Sequence, residues 1–81
     1  MDEKEVLEKV VAILKPFAKN QEALARVGLQ TSIMKDLKVN SARLVDVVLE
    51  IEERFGIQVQ DDEADQVRTV GDAVRVILSK V

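Results

Sequence analysis

Apolar residues recur at helical spacing in three separate stretches of this chain. In the first, from Asp2 to Lys15, the apolar stripe is Val6, Leu7, Val10, Val11 and Leu14, continued by Phe17. Glu3, Glu8, Lys9 and Lys15 take the polar positions, so the stretch is predicted to be an amphipathic helix. In the second, from Asn40 to Arg54, Leu44, Val47, Val48 and Ile51 share one helix face with Phe55 just beyond. In the third, Val70, Ala73, Val74, Ile77, Leu78 and Val81 do the same.

The residues between these stretches set the boundaries. Pro16 disfavours helical geometry at Lys15 and ends or kinks the first helix there. Asn20 can cap a short helix, Gln21 to Val27, with Gly28 closing it. Asn40 is a good N-cap for a helix beginning at Ser41, and Gly56 can take the left-handed conformation that terminates it. Asp61 to Val67 reads as a short helix opened by acidic residues. Thr69-Val70-Gly71-Asp72 has the spacing of a capping box, with Asp as a shorter substitute for Glu. Gly28 to Val39 is a loop, with Leu29, Ile33, Met34 and Leu37 as its expected apolar anchors. The fold class is therefore all-α: a small antiparallel bundle of three longer helices and one or two short ones, residues 1–81 forming a single domain.

Composition narrows the chemistry. The chain has 81 residues, 47% hydrophobic and 33% charged, which suits one small globular domain. It holds no Cys and no His. The usual general base and the usual thiol nucleophile are both missing, as are the usual zinc ligands. The acids at Asp61, Asp62, Glu63 and Asp65 lack the spacing of a calcium loop, so no metal site is expected. Such a chain is a poor candidate for an enzyme acting alone. A reactive atom for such chemistry would have to be imported. Its acidic, polar start, Asp2-Glu3-Lys4-Glu5, does not read as a signal peptide, and no apolar run spans a bilayer, so a cytoplasmic protein without membrane insertion is expected.

The net charge of −3 is unevenly spread. Between Asn40 and Val67 there are eight acids and two bases. This negative field repels nucleic acid and attracts basic protein surfaces.

Ser41 stands where the loop meets the second helix. A Ser in that position can simply cap backbone N–H groups. A helix N-terminus also favours negative charge, through its free N–H groups and its dipole, and so suits a phosphate.

The surrounding residues resemble a known family. Asp36-Leu37-Lys38-Val39-Asn40-Ser41-Ala42, then Glu52-Glu53-Arg54-Phe55-Gly56-Ile57, then Val59-Gln60-Asp61-Asp62-Glu63-Ala64, then Thr69-Val70-Gly71-Asp72-Ala73-Val74 follow, in order and spacing, the motifs of the acyl carrier proteins. The resemblance covers roughly Thr31 to Ile77. It implies that Ser41 carries a 4′-phosphopantetheine arm, attached by a phosphopantetheinyl transferase from coenzyme A. The arm's thiol would hold acyl intermediates as thioesters in fatty acid, lipid or polyketide biosynthesis. An aminoacyl or peptidyl-type carrier is an alternative, and so is an unmodified helical adaptor.

The resemblance also implies a partner face. Ala42, Val45 and Leu49 form an apolar strip beside the core stripe. Asp46, Glu52 and Glu53 match positions that meet basic docking surfaces on acyltransferases and synthases, with the carrier acting as a monomer. Asn40 and Arg43 flank the serine and belong to the same face. Here the chain departs from its relatives: Lys38 stands for the usual Gly, Asn40 for Asp, Ala42 for Leu and Arg43 for a residue that is often acidic. These changes make the neighbourhood of Ser41 less negative and point to a specialised carrier with its own partners.

Overall fold

The computed structural model describes residues 2–81. The helices are α1 (Glu3–Leu14), α2 (Gln21–Leu24), α3 (Ser41–Phe55), α4 (Asp61–Asp65) and α5 (Val70–Leu78). Among the described residues the only β-type pairing is an isolated bridge between Ser32 and Thr69. Three helix starts follow the predicted caps at Asn20, Asn40 and Thr69, and Asp2, expected within the first helix, caps it instead. The side chains of Asp2, Asn20, Asn40 and Thr69 accept the backbone N–H of Glu5, Ala23, Ala42 and Asp72. The Thr69 and Asp72 side chains complete a reciprocal capping box at α5.

α3 ends as its sequence predicts. Gly56 has φ 63°, and the N–H groups of Gly56 and Ile57 both donate to the Glu52 carbonyl. The two short helices stop earlier than expected. After Leu24 the backbone continues with tighter bonds, Arg26 to Ala23 and Val27 to Leu24. After Asp65, Val67 donates to the Ala64 carbonyl in the same way. These tighter turns replace a full α-helical turn, and the second delivers Val67 into the core.

α1 packs on α5 and, less extensively, on α3. Its buried residues are Val6, Val10, Ile13 and Leu14. The predicted stripe omitted Ile13 and included Leu7 and Val11, which are only half-buried. A helix that meets two neighbours at once needs an apolar face wider than one stripe, and Ile13 fills the added width. Val47 and Ile51 enter the core from α3, and Val70, Ala73, Val74 and Ile77 from α5. Val81, predicted for the α5 face, is exposed because the helix ends at Leu78.

The long loop is pinned to this core. Ile33, Leu37 and Val39 are buried, while Leu29 and Met34, both expected as anchors, are 39% and 40% exposed. Leu29 contributes its carbonyl instead: the Gly71 N–H donates to it at 2.8 Å. Ile33 N–H to the Arg68 carbonyl and Val70 N–H to the Thr31 carbonyl complete a short ladder joining the loop to the start of α5. Among the described residues no helix is long and apolar enough to cross a membrane.

Candidate functional site

Three sets of hydrogen bonds hold the approach to Ser41. The Asp36 carboxylate accepts the Ser32 N–H at 2.7 Å, and the Leu37 N–H donates to the Ser32 carbonyl. Lys19 and Asn20 N–H groups donate to the Leu37 carbonyl, and the Asn20 side chain donates to the Asp36 carbonyl. Val39 N–H donates to the Ile33 carbonyl. Leu37 and Val39 are thereby buried on either side of an exposed Lys38. To turn the chain between two buried residues, Lys38 adopts φ 58°, the left-handed region that side chains with a Cβ resist.

The residue that caps α3 is Asn40. Its side-chain oxygen accepts the Ala42 N–H at 2.9 Å, and its carbonyl accepts the N–H groups of Arg43 and Leu44. Ser41 is the first helical residue and is exposed. The capping role available to a helix-start Ser is thus filled by its neighbour. The Ser41 hydroxyl faces solvent at the positive end of a fifteen-residue helix.

A groove of about 360 Å³ runs from Ser41 between α3 and α4, lined by Leu44, Val45, Val48, Leu49, Val59 and Ala64, with Glu52, Asp61 and Asp65 at its edge. Val45 and Leu49 are 61% and 55% exposed, and Ala42 is exposed beside them. The strip predicted to lie outside the core does so. A second recess beside Ser41 is lined by Met34, Lys35, Leu44, Val67 and Arg68. Arg68 was not singled out from sequence, and Met34 was expected under the bundle rather than beside the serine. They reach the serine only because the loop is laddered to the start of α5, a long-range pairing without a local signal.

The acidic residues of α3 are not all free. Arg43 turns its guanidinium onto Asp46 at 3.4 Å. Glu50 pairs with Arg54. The Glu52 carboxylate accepts the Val59 N–H at 2.8 Å and so fastens the α3–α4 connection. Glu53 is exposed and in no ion pair among the described residues. Elsewhere, Glu63 is held below its ordinary value by the Gln60 N–H and by Lys80, whose ammonium is 2.9 Å away. Asp72 is held low mainly by the Thr69 N–H, against partial burial.

Residues 8–77 match the family described as "Phosphopantetheine attachment site". The chain is 35% identical over 80 residues to the acyl carrier protein of Lactobacillus acidophilus, covering 98% of this chain and 96% of that one. It is 33% identical over 78 residues to the acyl carrier protein of Rubrobacter xylanophilus, covering 96% and 94%.

This chain belongs to the acyl carrier protein family.

The solved structure of the acyl carrier protein from Enterococcus faecalis superimposes on this carrier with a TM-score of 0.81 at 34% identity, covering all of both chains. The family fixes the cofactor as phosphopantetheine and the role as that of a carrier, not an enzyme. The residues present suit that group: an exposed hydroxyl at a helix N-terminus and, leading from it, an apolar groove. The missing Cys is then no loss, because the thiol comes with the arm.

Proposed function

We propose that Ser41 takes the 4′-phosphopantetheine arm and that the protein is a specialised acyl carrier, acting as a cytoplasmic monomer in fatty acid, lipid or polyketide biosynthesis. The observation that carries this reading is the division of labour at the start of α3: Asn40 caps the helix and leaves the exposed Ser41 hydroxyl uncommitted. In loading by a phosphopantetheinyl transferase, the Ser41 oxygen forms the new bond to phosphorus. The bond to the nucleotide part of coenzyme A breaks, and the serine proton passes to the transferase. The positive end of α3 favours the resulting phosphodiester. Once attached, the arm supplies a thiol that holds the acyl group as a thioester.

The groove beside Val45, Val48 and Val59 gives the acyl chain somewhere to fold back. Ala42, Val45 and Leu49 present the apolar strip to acyltransferases and synthases. Glu53 faces basic partner surfaces without an internal competitor, whereas Asp46 and Glu52 must first exchange the bonds they make within the chain. Lys38, Asn40 and Arg43 support the specialised reading, because they remove negative charge at the serine.

The test is an intact-mass measurement after incubation with coenzyme A and a broad-specificity phosphopantetheinyl transferase. One arm is expected on the wild type and none on Ser41→Ala. Equal loading of Ser41→Ala would refute the assignment. A wild type that no transferase loads would favour an unmodified adaptor.

A further inference from the structure

The fold gathers at Ser41 a set of cations that the sequence scatters over fifty residues. Lys19 and Arg43 line one recess with Asn40. Lys35 and Arg68 line the other with Ser41 itself. Lys38 follows Leu37, whose carbonyl accepts the Lys19 N–H. All five are exposed. Among the described residues Lys19, Lys35, Lys38 and Arg68 enter no ion pair. Carboxylates stand nearby as well, with Glu52 and Asp61 along the groove that runs from Ser41. Asp36 is engaged by the Ser32 N–H and Asp46 by Arg43, while Asp65 lines the second recess.

The Lys38 backbone adds an independent observation. A φ of 58° is one that glycine accepts freely and lysine does not. The chain keeps a charged, exposed side chain where a neutral Gly would cost less, three residues before the serine. Strain held at one exposed residue three positions before the serine points to a role for its side chain. The opposite sign is concentrated further along, at Glu53, Asp61 and Asp62, all exposed.

We infer that the Ser41 end of this carrier docks an acidic protein surface through Lys19, Lys35, Lys38, Arg43 and Arg68, so that a matching partner is acidic around its active-site mouth and basic where it meets Glu53. This rests on the reading of Ser41 as the loaded residue, since every partner that handles the arm must approach this end. Charge complementarity identifies the occupant as a carboxylate-rich protein face. Clustered exposed charges of one sign steer encounter and fix orientation, and they reject surfaces of the same sign.

The unloaded protein tests the inference, so its outcome is independent of the mass measurement. Two helical peptides serve as probes, one with Glu along one face and one with Lys in the same positions, titrated at low salt while backbone amide resonances are followed. The Glu peptide is expected to shift Lys19, Lys35, Lys38, Arg43 and Arg68. Its affinity should fall roughly tenfold on moving to physiological salt. Lys19→Glu/Lys38→Glu/Arg68→Glu should abolish the shifts, and the neutral set Lys19→Gln/Lys38→Gln/Arg68→Gln should weaken them part-way. The Lys peptide should instead shift the Glu53 and Asp61 region. The inference is overturned if the Glu peptide leaves the Ser41 end unshifted, if the Lys peptide binds there as well, or if the triple-Gln protein responds like the wild type.

Discussion

The Leu29 carbonyl oxygen accepts the Gly71 N–H at 2.8 Å, and a Cβ at position 71 would stand 2.6 Å from that same oxygen. Gly71 lies in the first turn of α5, where an Ala would ordinarily be preferred by about 1 kcal/mol. Here the close approach decides otherwise. The atom met is backbone, held by the ladder that joins the loop to α5, and it cannot swing aside. Gly71→Ala should therefore destabilise the fold by a net ~1–2 kcal/mol, the overpacking cost exceeding the propensity gain. Urea unfolding monitored by circular dichroism checks this. A variant as stable as the wild type would mean that the loop yields freely.

Lys38→Gly should move stability the other way. Relief of the left-handed conformation is worth roughly 1 kcal/mol, partly offset by the greater freedom of Gly in the unfolded chain. For a domain of this size the melting temperature should rise by a few degrees. A decrease would show that the Lys38 side chain stabilises the turn.

Two carboxylates govern the acid limit. The folded protein holds Glu63 below its ordinary value of 4.5, chiefly through the Gln60 N–H and then through Lys80. It holds Asp72 below 3.8, chiefly through the Thr69 N–H. For both, the folded state binds fewer protons than the unfolded chain. Their contribution is complete above those ordinary values and is lost as pH falls through the lower folded ones. Melting temperature should thus be level on this account down to about pH 5 and decline below it. In Asp72→Asn/Glu63→Gln the decline should be shallower. An unaltered acid slope in that double variant would assign acid sensitivity to other groups.

If the groove between α3 and α4 shelters the cargo, loaded protein should melt higher than the form carrying the bare arm. Each methylene in full contact contributes ~0.8 kcal/mol. Melting temperature should climb with acyl length until the roughly 360 Å³ groove is full and then level off. A melting point indifferent to chain length would place the acyl group in solvent.

Arg43 sits badly with the α3 dipole, at a cost of roughly 0.3–1 kcal/mol, yet it makes an exposed ion pair with Asp46 worth about the same or less. Arg43→Asp with Asn40→Asp trades one for the other and sets like charges at helical spacing. Stability should therefore change by less than about 0.5 kcal/mol. Acyl transfer from a fatty-acid malonyltransferase built for acidic carriers should accelerate, most at low salt. Stopped-flow rates across a salt series read this directly. Equal rates for both proteins throughout would make Arg43 a bystander.

The helices and their caps were legible in the chain itself. Asn40, Gly56 and the Thr69/Asp72 pair act on backbone within a turn of themselves, so their residue types suffice to locate helix ends. The same local logic put Ser41 at the start of α3, and the motif order from Asp36 to Val74 supplied the family. Tertiary structure decided what local spacing cannot encode. It turned Leu29 and Met34 outward and drew Ile13 in, because burial depends on which neighbours arrive. It also committed Asp46 and Glu52 to partners within the chain. The ladder from Leu29 to Gly71 and from Ile33 to Arg68 is formed by backbone groups, which every residue carries, so no side-chain pattern announces it. That ladder brings Lys35 and Arg68 to the same recess as Ser41, and the charge around the serine follows from it.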